Sequence, residues 1–192
     1  MKLKNMMWLL VCFVLSVGFT PIIPTASSST FELIVPVSKT YEFGIDYKLF
    51  TGDGITTFPS AYGNVTAPLQ YVSLGDTADD FIGFTPGSIA LIQRGLVYFS
   101  TKVNLADSYG ALGAIIFDNT NSFPPVALAA ETFIPSIFTT DDVGAELLGF
   151  LRQGGVTVHL EVTPVPEPAT MLLLGSGLIG LAGYGRKKFF KK

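Results

Sequence analysis

Few side chains in this sequence can make or break a covalent bond. One histidine, His159, one cysteine, Cys12, and two adjacent acidic pairs, Asp79-Asp80 and Asp141-Asp142, are the groups from which a nucleophile with its base, or a metal cage, would have to be assembled. His159 falls on the polar side of the alternating run 156–162, where Val156, Val158, Leu160 and Val162 face the other way, so a surface strand residue is the simpler reading. Neither acidic pair has the alternating spacing of a calcium loop. Asp141-Asp142 suits the start of a helix and Asp79-Asp80 a solvated loop. Opposed carboxylates for glycoside chemistry are no guide, because among the fourteen acids between residues 29 and 164 some pair always comes near enough. Gly175-Ser176-Gly177 lies inside an apolar span with no hydrolase sheet before it. No catalytic residue, metal ligand or cofactor is assigned, and the chain reads as a non-enzyme.

Cys12 belongs to a segment with its own logic. Lys2 and Lys4 precede an apolar run over 6–19, followed by Pro21, Pro24 and a small polar stretch over 25–30. A basic, then hydrophobic, then small-residue order is that of a secretory signal peptide, placed at 1–28. The alternative is a permanent anchor, for which the run falls short of the ~20 residues of a spanning helix. Removal of the signal leaves a mature chain without a thiol, which excludes disulfides and thiolate chemistry.

The other end, 164–192, has three parts. Pro166-Glu167-Pro168 holds the backbone extended as a strand that a processing enzyme can grip. The apolar stretch 169–184 is about 24 Å long as a helix, short of the ~30 Å hydrocarbon core, and four glycines weaken it further. Arg186, Lys187 and Lys188 then hold their side of the membrane to the cytoplasm and place the middle of the chain outside. Together these residues resemble the PEP-CTERM sorting signal of Gram-negative bacteria. The resemblance implies an exosortase-like processing enzyme as partner, transient membrane anchorage, and delivery to the cell surface or an exopolysaccharide matrix. An ordinary tail anchor is the alternative.

Between the two ends, five basic residues face fourteen acids, a formal charge of −9, which argues against nucleic acid as a partner. Runs rich in β-branched and aromatic residues at 31–37, 40–49, 69–74, 89–93, 114–117, 134–138 and 156–162 read as strands. Two stretches read as helices. The first, 99–109, places Phe99, Val103 and Ala106 on one face with Lys102 and Asp107 on the flanks. The second is capped by Thr139 or Thr140 and stopped by Gly154-Gly155. The fold class is α+β, a mixed domain with one sheet system and two covering helices. The Gly, Thr and Pro-rich stretch 51–63 reads as a mobile surface loop.

The stretch 87–119 carries a further resemblance. A hydrophobic strand (Ile89 to Ile92) leads into Arg94-Gly95, then Phe99, Lys102, Ala106, Gly110-Ala111 and a second hydrophobic strand ending at Phe117. Downstream lie Ile134, Pro135, Ile137, Gly144 and Leu147. This order resembles the protease-associated (PA) domain, over 69–162 as core within a domain at 31–163. The family implies a β-rich sandwich or barrel-like fold of the swivelling β/β/α type. It also implies a non-catalytic module for protein or peptide interactions, inserted in proteases or sorting receptors. Many members carry Cys at the place of Val97, where no disulfide can form here.

Gly95 is expected to permit a turn, and Gly110 to let the first helix end close to the next strand. Arg94 and Lys102, two of only five cations in the middle, suit internal salt bridges; with Tyr98 they are also the candidate interaction residues, as anchors for a carboxylate or peptide terminus. Three functions remain open: binding of a protein, peptide or polysaccharide outside the cell, a structural matrix component without a specific ligand, or a detached accessory module of a protease.

Overall fold

The computed structural model describes residues 29–164 except 53, 54, 121 and 123. The signal peptide at 1–28 and the sorting residues Pro166, Glu167, Pro168, Arg186, Lys187 and Lys188 lie outside the described residues. No helix among the described residues is long and apolar enough to cross a membrane.

Strand segments that are apolar at every position need cover on both faces, and this requirement organises the molecule. In Ile89–Gln93 and Gly113–Phe117 nearly every residue is buried. Ile89, Leu91 and Ile115 enter one apolar cluster with Leu147 and Leu160, while Ala90, Ile92 and Ile116 enter a second with Val103 and Phe138. The elements run β1 (Thr30–Val35), β2 (Lys39–Thr40), β3 (Tyr47–Leu49), β4 (Gly63–Tyr71), a 3-10 turn (Ala78–Phe81), β5 (Ile89–Gln93), α1 (Phe99–Ser108), β6 (Gly113–Phe117), β7 (Ser136–Thr139), α2 (Asp141–Gln153) and β8 (Thr157–Val162). They form one eight-stranded mixed sheet, a half-barrel in the order β2-β1-β8-β4-β5-β6-β7-β3. Strands β4 to β7 are parallel and the remaining pairs antiparallel. The two helices cover opposite faces, α1 through Val103 and Ala106, α2 through Val143 and Leu147.

Local signals set several boundaries. The Thr140 hydroxyl accepts from Val143 N at 3.3 Å and caps α2, with Asp141 and Asp142 in its first turn. Gly110 adopts φ +81°, and a Cβ there would meet Pro86 Cβ at 2.9 Å, so both backbone and space require glycine where α1 turns into β6. Gly144 lets α2 lie on Phe117, whose ring leaves no room for a Cβ there.

Other expectations are corrected. Residues 40–49 are two strands, because Gly44 turns at φ +84° and the Asp46 carboxylate accepts from Glu42 N at 2.8 Å, closing a loop between them. β4 begins at Gly63 and pairs its first half with β8, which accounts for its alternating burial. The second half of the 51–63 stretch is tied down: Phe58 bridges to Leu128, and Ser60 is buried with its Oγ accepting from Ser136 N at 2.6 Å.

Candidate functional site

Parallel strands deliver β5, β6 and β7 to one end of the sheet, and the conspicuous charges gather there. Arg94 follows β5 and Asp118 follows β6; Arg94 Nη1 donates to Asp118 Oδ1 at 2.9 Å. The Asp118 side chain is fully buried and also accepts from Asn119 N at 2.9 Å, Thr120 N at 3.3 Å and the hydroxyls of Thr120 and Ser122. Asp118 N in turn donates to Thr139 O at 2.9 Å, so the cluster fastens the ends of three neighbouring strands.

Lys102 is fully buried rather than on the flank of α1. Its ammonium donates to the Asp76 carboxylate and to Leu74 O. A cation in this setting is stable only with such partners, because burial without them would neutralise it. Gly95 is outside the left-handed region, so it is not there to permit a turn. A Cβ at Gly95 would stand 3.2 Å from Lys102 Nζ and 3.3 Å from Asp76 Oδ2, so glycine keeps room for the ion pair. Asp80 is a cap rather than a loop residue: its carboxylate accepts from Asp76 N at 2.9 Å and Thr77 N at 3.1 Å. Desolvation alone would raise its pKa, but those N–H groups, the Thr77 hydroxyl and the nearby Lys102 together hold it below the usual carboxylate value. The structure therefore places Arg94 and Lys102 in separate internal pairs. Tyr98, between them in sequence, is 74% exposed beside the fully exposed Leu96.

The open edge of the sheet, along β3, is built differently. Between β3, the loop over 50–62 and the end of β8 lies an open cavity of about 620 Å³. Phe43, Leu49, Phe50, Pro59, Tyr62, Pro125, Val126 and Val162 make most of its wall, with Lys48, Thr51, Ser60 and Thr163 as its polar contributions. Phe43 and Tyr62 are 59% and 58% exposed at its rim. A second hollow shares Pro59, Ser60 and Tyr62 and extends the apolar surface to the exposed Phe133. A cavity of this size, with an apolar lining and a few polar groups, has the dimensions of a site for a small molecule or a few residues of peptide. Sequence reasoning missed it because its wall comes from segments distant in the chain. The one available signal was Tyr62 behind Pro59 in a loop.

The bond-making candidates stay apart. His159 Nδ1 pairs with Thr66 Oγ1 at 2.8 Å across two antiparallel strands. Among the described residues, no group of three or more His, Cys, Asp or Glu side chains could hold a metal ion.

Comparison with known proteins bears on both the domain and its tail. The family described as PA domain matches residues 65–147, and the PEP-CTERM protein-sorting motif matches residues 164–187. An aminopeptidase of Pseudomonas aeruginosa is 34% identical over 164 residues, covering 77% of this chain and 28% of the relative. A probable leucine aminopeptidase 2 of Aspergillus fumigatus is 30% identical over 66% of this chain and 26% of its own length. Among solved structures, an aminopeptidase from Aneurinibacillus sp. strain AM-1 superposes with a TM-score of 0.59 at 31% identity, over 72% of this chain and 31% of that one. A zinc aminopeptidase from Bacillus subtilis shares the fold, with a TM-score of 0.52 at 23% identity. The chain thus spans less than a third of the length of the aminopeptidases it matches.

Proposed function

We propose that this chain, an exported PA-domain protein with a C-terminal PEP-CTERM protein-sorting motif, is a non-catalytic module that binds a short protein or peptide segment outside the cell. The supporting observation is the open aromatic cavity at the β3 and β8 end, whose rim residues Phe43 and Tyr62 are exposed while the charges of the other end are used internally. Aromatic side chains of this kind supply contact area at small conformational cost. In this reading Arg94 and Lys102 build the domain, and Tyr98 offers a secondary contact at the far end.

The domain division belongs to the same proposal: a signal at 1–28, a PA domain at 31–163 and a sorting segment at 164–192. The stretch 169–184 inserts in the membrane and holds the domain there until an exosortase-like enzyme releases it to the surface or matrix. The mass of the protein recovered outside the cell tests this. A species lacking both ends is expected, and an uncut chain ending at Lys192 would contradict it.

One observation favours a second reading. The aminopeptidase relatives carry this domain as about 28% of a longer chain, so the module serves as a detached accessory to a separate peptidase. Adding the released protein to exported peptidases separates the two: a change in kcat/KM supports the accessory role, and saturable peptide binding without such a change supports the independent module.

A further inference from the structure

The end of the domain that carries the cavity is also the end from which the chain leaves for the membrane. Thr163 N donates to Ser29 Oγ at 3.0 Å, and the Tyr47 hydroxyl donates to Ser29 O at 2.6 Å, so both exits from the domain lie side by side against β3. Val162 and Thr163 are themselves part of the cavity wall. Arg94 to Tyr98, by contrast, follow the C-terminal end of β5, whereas Ser60 sits at the start of β7, on the cavity side.

The sequence limits how far this end can stand from the bilayer. The apolar stretch begins at Ala169, six residues beyond Thr163. Fully extended, six residues reach about 20 Å. A domain of this length is roughly 35 Å across. A leash of that length cannot place the far end against the membrane, so the face around Thr163 is the one turned toward lipid. Phe43 and Tyr62 line the cavity together with Thr163, and Phe133 lines the adjoining hollow; all three are more than half exposed. Exposed aromatic rings are the composition that settles at the boundary between headgroups and acyl chains.

We propose that, while the sorting segment is uncut, the cavity face is seated on the phospholipid surface. The inference rests on the membrane-tethered state proposed above and adds which surface meets the lipid and when. Cleavage then lifts the domain away, so the cavity opens to partners only after release.

Depth-dependent quenching tests this on the full chain in phosphatidylcholine vesicles. Trp8 is the sole tryptophan and is replaced by Phe, which leaves one reporter introduced by Tyr62→Trp or, in a second protein, by Leu96→Trp. Acyl chains brominated near the headgroup are expected to quench the reporter at position 62 roughly twofold and to leave that at position 96 unchanged. Adding Phe43→Ser and Phe133→Ser is expected to weaken quenching at position 62 while the protein still floats with the vesicles. Flotation with equal quenching at both positions, or stronger quenching at position 96, overturns the seating alone. Loss of flotation overturns the tethered state and the seating with it.

Discussion

The charged strand ends and the open edge along β3 solve opposite problems. At the C-terminal ends of the parallel strands, two ion pairs are built into the structure: Asp118 takes Arg94 and four local donors, and Lys102 disappears beneath Gly95 with Asp76. At the open edge Phe43 and Tyr62 stand at the rim of a cavity. In the proposed reading, the paired charges fix the frame and the exposed aromatic surface is what meets a partner. Substitutions at the first end should therefore cost stability, and those at the second should cost recognition.

The largest effect is expected at the buried ion pair. Lys102→Ala strands the Asp76 carboxylate and the Leu74 carbonyl, and should lower the unfolding free energy by about 3 kcal/mol in a denaturant titration. Gly95→Ala presses a methyl group against that pair and should cost about 1 kcal/mol by the same measurement, with the sheet signal in circular dichroism unchanged. If it proves neutral, the pair has slack and the contrast between the ends is weaker than described.

A smaller effect separates charge from packing. The folded-state pKa of Asp80 lies below its ordinary value of 3.8. Its contribution is therefore fully present above that value and is lost as pH falls through the lower folded-state value. Asp80→Asn should flatten this acid decline and leave stability near neutral pH only slightly reduced, as thermal melts across pH would show. At the open end, Phe43→Ser and Tyr62→Ser should change stability by no more than about 0.5 kcal/mol, because both side chains are already largely in water.

How much of this was legible depended on how far apart the interacting residues lie in the chain. Ile89–Gln93 and Thr140 as helix cap announced themselves, since an unbroken apolar run and a Thr-Asp-Asp start are local signals. Lys102 was misplaced because its partner Asp76 is 26 residues away, and helical periodicity alone puts a lysine at the edge of the apolar face. The break within 40–49 depended on a single glycine at φ +84° and on Asp46. The cavity was invisible for the strongest reason. Phe43, Tyr62, Val126 and Val162 are brought together only by the placement of β3 and β8, which no periodicity encodes. Resemblance to the PA domain supplied the fold, and the scarcity of cations in the acidic middle already suited Arg94 and Lys102 to the internal salt bridges they form.

The most direct test of the central claim takes the protein released from cells and titrates it into a panel of fluorescent unstructured peptides, while following hydrolysis of aminoacyl anilides in the same samples. Saturable anisotropy, weakened at least about tenfold by the Phe43→Ser, Tyr62→Ser pair and unaccompanied by hydrolysis, is the predicted result. Turnover by the purified chain, or binding that ignores those two aromatics, would contradict it.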